Sequence, residues 1–246
     1  GIDSAVTLTL ACEALGKENV FALLMPSQYS SDHSISDGEQ LCKNLNVPYK
    51  IIPIEPIFNS FIQSLKPVFN EAPADVTEEN IQARIRSSLL MAAANKFNYV
   101  LLNTSNKSEL SVGYGTMYGD LAGGLSVLGD CYKLQVYALA QDFNAETEVI
   151  PFNILKKRPS AELRPGQYDS QSLPDYDKLD PILYQYMDRN LQPSEIVKMG
   201  YDSGLLDTVL KLINNNEFKR HQFCPILSIS SKAFGPGRKI PIVAKL

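Results

Sequence analysis

The sequence predicts an α/β domain built on a doubly wound parallel sheet, with a helical C-terminal part. Three observations predict it. Short apolar runs alternate with helical stretches through the first half of the chain. The stretches between runs are long enough for βαβ crossovers, which join parallel strands. The second half then leaves that alternation for a long polar stretch followed by helical patterns.

The elements follow in order. Residues 4–15 read as a helix whose apolar face holds Val6, Leu8, Leu10 and Leu15, with Gly16 as its stop. Asp3 and Ser4 are residue types that cap helix N-termini. "NVFALLMP" (19–26) is a buried-strand run. "ISDGEQLCKNLN" is a helix, "YKIIPI" (49–54) a strand and "EPIFNSFIQSLKPVF" a third helix. A long helix follows from Thr77, its expected N-cap, to about Lys96, with Asn80 in the first turn. "YVLLNTS" (99–105) is a third buried strand. Parallel sheets bind ligands beyond the carboxyl ends of their strands. That rule gathers four loops around one crevice: the one before Ser4, then 27–34, 53–56 and 103–124.

Residues 155–177 are polar and rich in Pro, Ser and Asp, and predict a long irregular loop of the kind that carries function or stays disordered. Helices are expected at 180–188, 194–200 and 205–216, the first with Asp180 as N-cap and Pro181 at its first position. The tail from Ser231 is basic and turn-rich.

Composition narrows the function. The chain has 246 residues, 44% of them apolar, enough for a substantial core. Its net charge of −4 argues against nucleic-acid binding driven by bulk charge. No signal peptide and no apolar run of membrane-spanning length are visible. Cys12, Cys42, Cys131 and Cys224 are widely spaced, which disfavours zinc and thioredoxin-type chemistry and fits a reducing, cytoplasmic setting. With His33 and His221 as its two histidines, the chain has few means of building a Ser-His-Asp hydrolase.

The densest chemistry lies in "NTSNKSELSVGYGTMYGDLAGG" (103–124). Hydroxyls and an acid follow a buried strand directly, and glycines follow them, so that backbone amides can approach an anion closely. Glu109 is a hard carboxylate suited to Mg²⁺, which takes few protein ligands. Lys133, Arg84, Arg86, Arg158 and Arg164 are cations of the kind a phosphate site needs, though each alone also reads as a solvated surface charge. His33 reads as a hydrogen-bonding member of its own Ser-rich loop. The residues by themselves give a polar crevice suited to a nucleotide and Mg²⁺, and not the reaction.

"GIDSA" resembles the tail of the Ser-Gly-Gly-x-Asp-Ser loop of the N-type ATP pyrophosphatases. "MPSQYSSDHS", "EENIQARIR", "NTSNKSELSVGYGTMYGDLAGG", "KKRPSAELRPGQYDSQSLPDYDKLDPIL" and "EFKRHQ…ISSKAFGPGRKIPI" resemble, in order, the NAD⁺ synthetase family. The likeness is to the synthetase domain of its glutamine-dependent, two-domain type and runs over nearly the whole chain. It implies an adenine nucleotide α-hydrolase-like, Rossmann-like fold over residues 1–246, truncated at its N-terminus, with a glutaminase domain expected upstream.

The resemblance implies a ligase of NAD biosynthesis that amidates deamido-NAD⁺ to NAD⁺ through an adenylated intermediate. AMP and pyrophosphate would be released, with ammonia or glutamine as nitrogen source. It implies that Gly1, Asp3, Ser4, Met25, Ser27, Thr104, Lys133 and Ser160 bind ATP. Asp3 and Glu109 would hold Mg²⁺, and Asn80, Arg84, Glu109 and Lys219 would bind deamido-NAD⁺. Asp3, Glu109 and Lys133 would serve catalysis, and Asp120 would orient or deprotonate the ammonia. It also implies a homo-oligomer formed through synthetase domains. The ammonia-dependent forms have a lysine where this chain has Met117 and an aspartate near Gly124, so those two contacts do not carry over. Two other readings stand beside this one: another N-type ATP pyrophosphatase amidotransferase, and a catalytically inactive nucleotide-binding domain.

Overall fold

The computed structural model of the chain describes residues 1–235, 237–238 and 240–242, so the end of the basic tail, Lys239 included, lies outside the described residues. Helices dominate. Helix α1 (Ile2–Leu15) leads to strand β1 (Ala22–Leu24), α2 (Asp32–Leu45), β2 (Tyr49–Ile51), α3 (Glu55–Phe69) and α4 (Val76–Phe97). Strand β3 (Leu102–Asn103), α5 (Lys107–Val112), β4 (Leu125–Ser126) and α6 (Lys133–Phe143) complete the alternating half. Helices α7 (Phe152–Lys156), α8 (Tyr176–Leu183), α9 (Pro193–Lys198), α10 (Ser203–Asn215) and α11 (Glu217–His221) form the rest.

Among the described residues both strand pairs are parallel, as the crossovers require. β1 pairs with β2 in the register Ala22 to Tyr49, and β3 pairs with β4 in the register Leu102 to Leu125. The chain after α11 returns to this sheet: Ser126 accepts from Leu227 and donates its amide to Pro225. The strands are shorter than the apolar runs predict, and their apolar residues are half-buried or exposed rather than buried. β1, β2 and β3 each lie at an edge, whereas β4 is flanked by β3 and by residues 225–227.

Three apolar clusters surround the sheets. One joins α1, α2, α6 and α7 through Val6, Leu41, Val136 and Ile154. A second packs α5 against α8, α9 and α10 through Leu110, Leu179, Ile196 and Val209. A third joins α3 and α4 through Phe58, Ile81 and Ile85.

Several helix starts differ from the sequence expectation, each for a local reason. The N-cap of α4 is Asp75 rather than Thr77: its carboxylate accepts from the Thr77 amide at 2.7 Å, and Glu78 returns a bond to the Asp75 amide. Gly1, rather than Asp3 or Ser4, is the N-cap of α1, and the Ser4 hydroxyl donates to its carbonyl at 2.9 Å. Asp180 and Pro181 lie inside α8, whose N-cap is Asp175. The Asp180 carboxylate makes a tertiary contact instead of capping. Residues 184–188 then widen into a π turn. Strand β4 and helices α7 and α11 are too short to leave a periodic pattern in the sequence. The long polar stretch does run irregularly, apart from α7 and a single 3₁₀ turn (Asp169–Gln171), up to the start of α8.

Candidate active site

Side chains from the first turns of α1, α5 and α6 meet at one point. Asp3 lies in the first turn of α1, Glu109 is the third residue of α5, and Lys133 is the first residue of α6. The Lys133 ammonium is 2.5 Å from Asp3 Oδ2 and 3.5 Å from Glu109 Oε1, and it is almost wholly buried. Asn106 ties the carboxylates together. Its Nδ2 donates to Asp3 Oδ1 at 2.8 Å, while its Oδ1 accepts from the Glu109 amide as the cap of α5. The Tyr176 ring lies 5.3 Å from the ammonium.

A third acid closes the group. Asp169 accepts from the Tyr114 hydroxyl at 3.2 Å and from the Tyr176 hydroxyl at 3.1 Å. One ammonium therefore stands among three carboxyls, and the charges show it. Burial, then the neighbouring Asp3 carboxylate, pushes the Glu109 carboxyl up to about 8, against the pull of Lys133. Burial also raises Asp169. Burial disfavours the Lys133 charge, but Asp3 and Glu109 outweigh it and hold the ammonium above its ordinary range.

The donor set suits Mg²⁺. Asp3 and Glu109 are hard oxygen donors aimed at the same point, and one ammonium leaves their charge under-compensated. A dication taking two carboxylates and completing its shell with phosphate and water would balance it. Among the described residues no group of three or more His, Cys, Asp or Glu is placed to hold a metal ion.

The expected residues fall into two groups and a remainder. Asp3, Glu109 and Lys133 share the point just described, while Gly1 and Ser4 bond each other at the start of α1. Asn80, Arg84, Asp120 and Lys219 converge on the glycine-rich loop. Thr116 donates to Asn80 Oδ1 at 2.7 Å and its amide to Asp120 Oδ1 at 2.9 Å. Arg84 Nε donates to the Met117 carbonyl at 3.3 Å. The Lys219 ammonium caps the carbonyls of Gly113 and Gly115 at 2.7 and 2.8 Å. Gly113 ends α5 at φ +70, a conformation that favours glycine.

Met25 and Ser27 follow β1. The Met25 carbonyl accepts from Arg86 Nε, and Ser27 Oγ accepts from the Tyr29 amide within its own turn. Thr104 is half-buried between β3 and α5. Ser160 does not point its hydroxyl to the Lys133 group: it donates to the Gln167 carbonyl and accepts from the Glu162 amide.

The long loop forms a strap across the crevice. Lys157 and Glu162 bond each other and the hydroxyls of Ser31 and Ser34 at the start of α2. Leu163 and Gln167 bond Gln82 and Glu79 on α4. Beneath the strap lies a cavity of about 980 Å³ whose lining includes Arg158, Tyr168, Asp169, Tyr176, Lys178 and Asp202, so it borders the acidic group.

Sequence reasoning missed Tyr114, Asp169 and Tyr176, and it counted Asn106 in the dense 103–124 segment without giving it a role. The Asn106-x-x-Glu109 spacing is a capping-box pattern and could have marked Asn106. Asp169 sits in an irregular loop with no periodic signal.

Comparison with known proteins decides the family. Residues 1–223 match the family described as NAD synthase. The chain belongs to the NAD synthase family. The glutamine-dependent NAD(+) synthetase of Synechocystis is 50% identical over 242 residues, covering 98% of this chain and 43% of that protein. A structure of glutamine-dependent NAD+ synthetase from Acinetobacter baumannii in complex with ADP is 44% identical, with a TM-score of 0.64 over 99% of this chain and 44% of that one. The NH3-dependent NAD synthetase of Campylobacter jejuni, solved with nitrate, is 36% identical, with a TM-score of 0.70 over 93% of this chain and 86% of that one. The chain thus spans less than half the length of the glutamine-dependent relatives it matches. These NAD synthase structures share its α/β, Rossmann-like fold. No helix among the described residues is long and apolar enough to cross a membrane.

Proposed function

We propose that the protein amidates deamido-NAD⁺ to NAD⁺ at the expense of ATP, and that this chain carries the ligase site. The observation that supports it best is the buried Lys133 ammonium held between Asp3 and Glu109 where three helix starts meet. Helix N-termini and a fixed cation favour a polyphosphate. The relatives named as NAD synthetases, and the ADP complex of one of them, support adenine nucleotide use.

In the first step a nicotinate carboxylate oxygen attacks the α-phosphorus of ATP. The new O–P bond forms as the bond to pyrophosphate breaks. In the second step ammonia attacks the carbonyl carbon of the mixed anhydride, the C–N bond forms, the C–O bond to AMP breaks, and the nitrogen gives up one proton to solvent. Asp3 and Glu109 would hold Mg²⁺, which supplies charge neutralisation for the phosphates. Lys133 offsets charge that grows on the phosphate oxygens as pyrophosphate leaves, and its fixed position avoids reorganisation during the step. Asn106 keeps both carboxylates aimed inward. Asn80, Arg84 and Lys219 shape the glycine-rich loop against the dinucleotide, and Asp120 orients the ammonia. Met25, Ser27 and Thr104 face the nucleotide, while the Ser160 hydroxyl braces its own loop against the Gln167 carbonyl.

The nitrogen comes from glutamine through a glutaminase activity of the protein, as the names of the relatives suggest. The protein works in the cytoplasm, with its four cysteines free, and pairs with copies of itself through this domain.

The test is direct. The purified protein with ATP, Mg²⁺, deamido-NAD⁺ and ammonia should form NAD⁺, AMP and pyrophosphate in equal amounts. ADP as product would sink the proposal.

A further inference from the structure

Behind the acidic group lies a second buried charge cluster that the proposed mechanism leaves unused. Lys107 is almost wholly buried, and its ammonium lies 2.9 Å from Asp130 and 2.9 Å from Asp188. It also reaches Ser230 Oγ at 3.3 Å and lies 5.0 Å from the Tyr132 ring. Asp130 in turn accepts from the amides of Ile229 and Ser230 and from the Ser230 hydroxyl.

Asp188 is the residue that joins the two helices of the site. Its Oδ1 accepts from Lys107, and its Oδ2 accepts from the Tyr132 hydroxyl. Lys107 is the first residue of α5, two before Glu109, and Tyr132 is the N-cap of α6, one before Lys133. The helix starts are coupled again where the Lys107 amide donates to the Cys131 carbonyl at 2.7 Å and the Lys133 amide to Ser108 Oγ at 2.9 Å. Asp188 itself ends the π turn that follows α8, and such turns recur at functional sites.

We infer that Asp188 is a positioning residue. Its carboxylate grips α5 and α6 from behind and sets the spacing between the Glu109 carboxylate and the Lys133 ammonium. Second-layer groups that orient charged ligands commonly matter 10- to 100-fold. A displacement of about 1 Å at the reacting groups has a similar effect. The inference rests on the proposed ligase reading for its kinetic readout, but not for its structural one.

The gentlest variant is Tyr132→Phe, which removes one hydroxyl and keeps the ring. It should lower kcat for NAD⁺ formation about 10-fold while KM for ATP stays within about 2-fold. It should also raise amide hydrogen exchange across residues 107–112, although the substitution lies outside that helix. Asp188→Asn should lower kcat at least as far. The double variant should then be little worse than Asp188→Asn alone, because both act through one link. A merely structural link would lower the melting temperature and leave the kcat of the folded protein unchanged. Wild-type kcat in Tyr132→Phe, or unchanged exchange in α5, would overturn the inference, and Tyr132→Phe decides it if Asp188→Asn does not fold. If the wild-type protein forms no NAD⁺, the ligase reading fails, and the exchange experiment still tests the coupling.

Discussion

The Lys133 ammonium lies 2.5 Å from Asp3 Oδ2 and joins the starts of two helices separated by most of the alternating half of the chain. Removing either end therefore affects both charge and geometry. Lys133→Met should lower kcat by roughly 10²- to 10³-fold, the scale seen when one fixed stabilising donor is lost from a preorganised site. Steady-state assay of AMP and NAD⁺ formation checks this. Activity within about 3-fold of wild type would show that Lys133 does not serve the phosphates.

Glu109→Gln separates stability from function. Burial and the Asp3 carboxylate already disfavour the Glu109 charge. A neutral glutamine keeps the shape and the cap partner while removing that repulsion. The ligand-free variant should melt about 2–4 °C higher, equivalent to roughly 1 kcal/mol for a domain of this size, and turn over far more slowly. A lower melting temperature would show that the charge is well compensated before ligand binds.

Acid stability should depend on Asp130. Burial works against its charge, but the Lys107 ammonium and the amides of Ser230 and Ile229 prevail and hold its carboxyl below the ordinary carboxylate range. A depressed folded value contributes stability above the unfolded value, and that stability is lost as pH falls through the folded one. Urea titrations below about pH 4, where ordinary carboxylates protonate, should show a falling midpoint in the wild type. Asp130→Asn should be destabilised at pH 7 and show a shallower fall. Parallel curves would contradict the assignment.

Asn106 both caps α5 and holds Asp3. Asn106→Ala should lose about 1 kcal/mol of stability, the usual effect of removing a cap. Asn106→Asp preserves the capping oxygen but sets a like charge against Asp3. It should recover the stability at low pH and remain poorly active at neutral pH. Thermal melts over a pH series, with activity measured alongside, separate the two roles.

Much of the fold was legible in the chain because periodicity reports burial directly. The helix at the start of the chain and the long helix expected from Thr77 follow from apolar spacing, although their caps lie at Gly1 and Asp75. Elements of two or three residues, such as β4, leave no period to read and exist through their partners. Asp180 misled as a cap because its carboxylate has a stronger tertiary use, receiving Ser108 Oγ at 2.5 Å and the Leu134 amide at 2.9 Å. Asp3, Glu109 and Lys133 were legible as a set through the order of the motifs. Asp169 and Tyr176 were not, because only the folded strap brings them to Lys133. Ser160 shows the converse: its motif places it at phosphate, whereas its hydroxyl lies within the loop.

The adenylated intermediate is the centre of the account, and an isotope-transfer experiment addresses it most directly. Deamido-NAD⁺ carrying heavy oxygen in the nicotinate carboxylate is turned over by the protein with unlabelled ATP and ammonia, and the products are weighed by mass spectrometry. Attack of that carboxylate on the α-phosphorus predicts heavy oxygen in AMP and none in pyrophosphate. Unlabelled AMP, or label in pyrophosphate or inorganic phosphate, would contradict it.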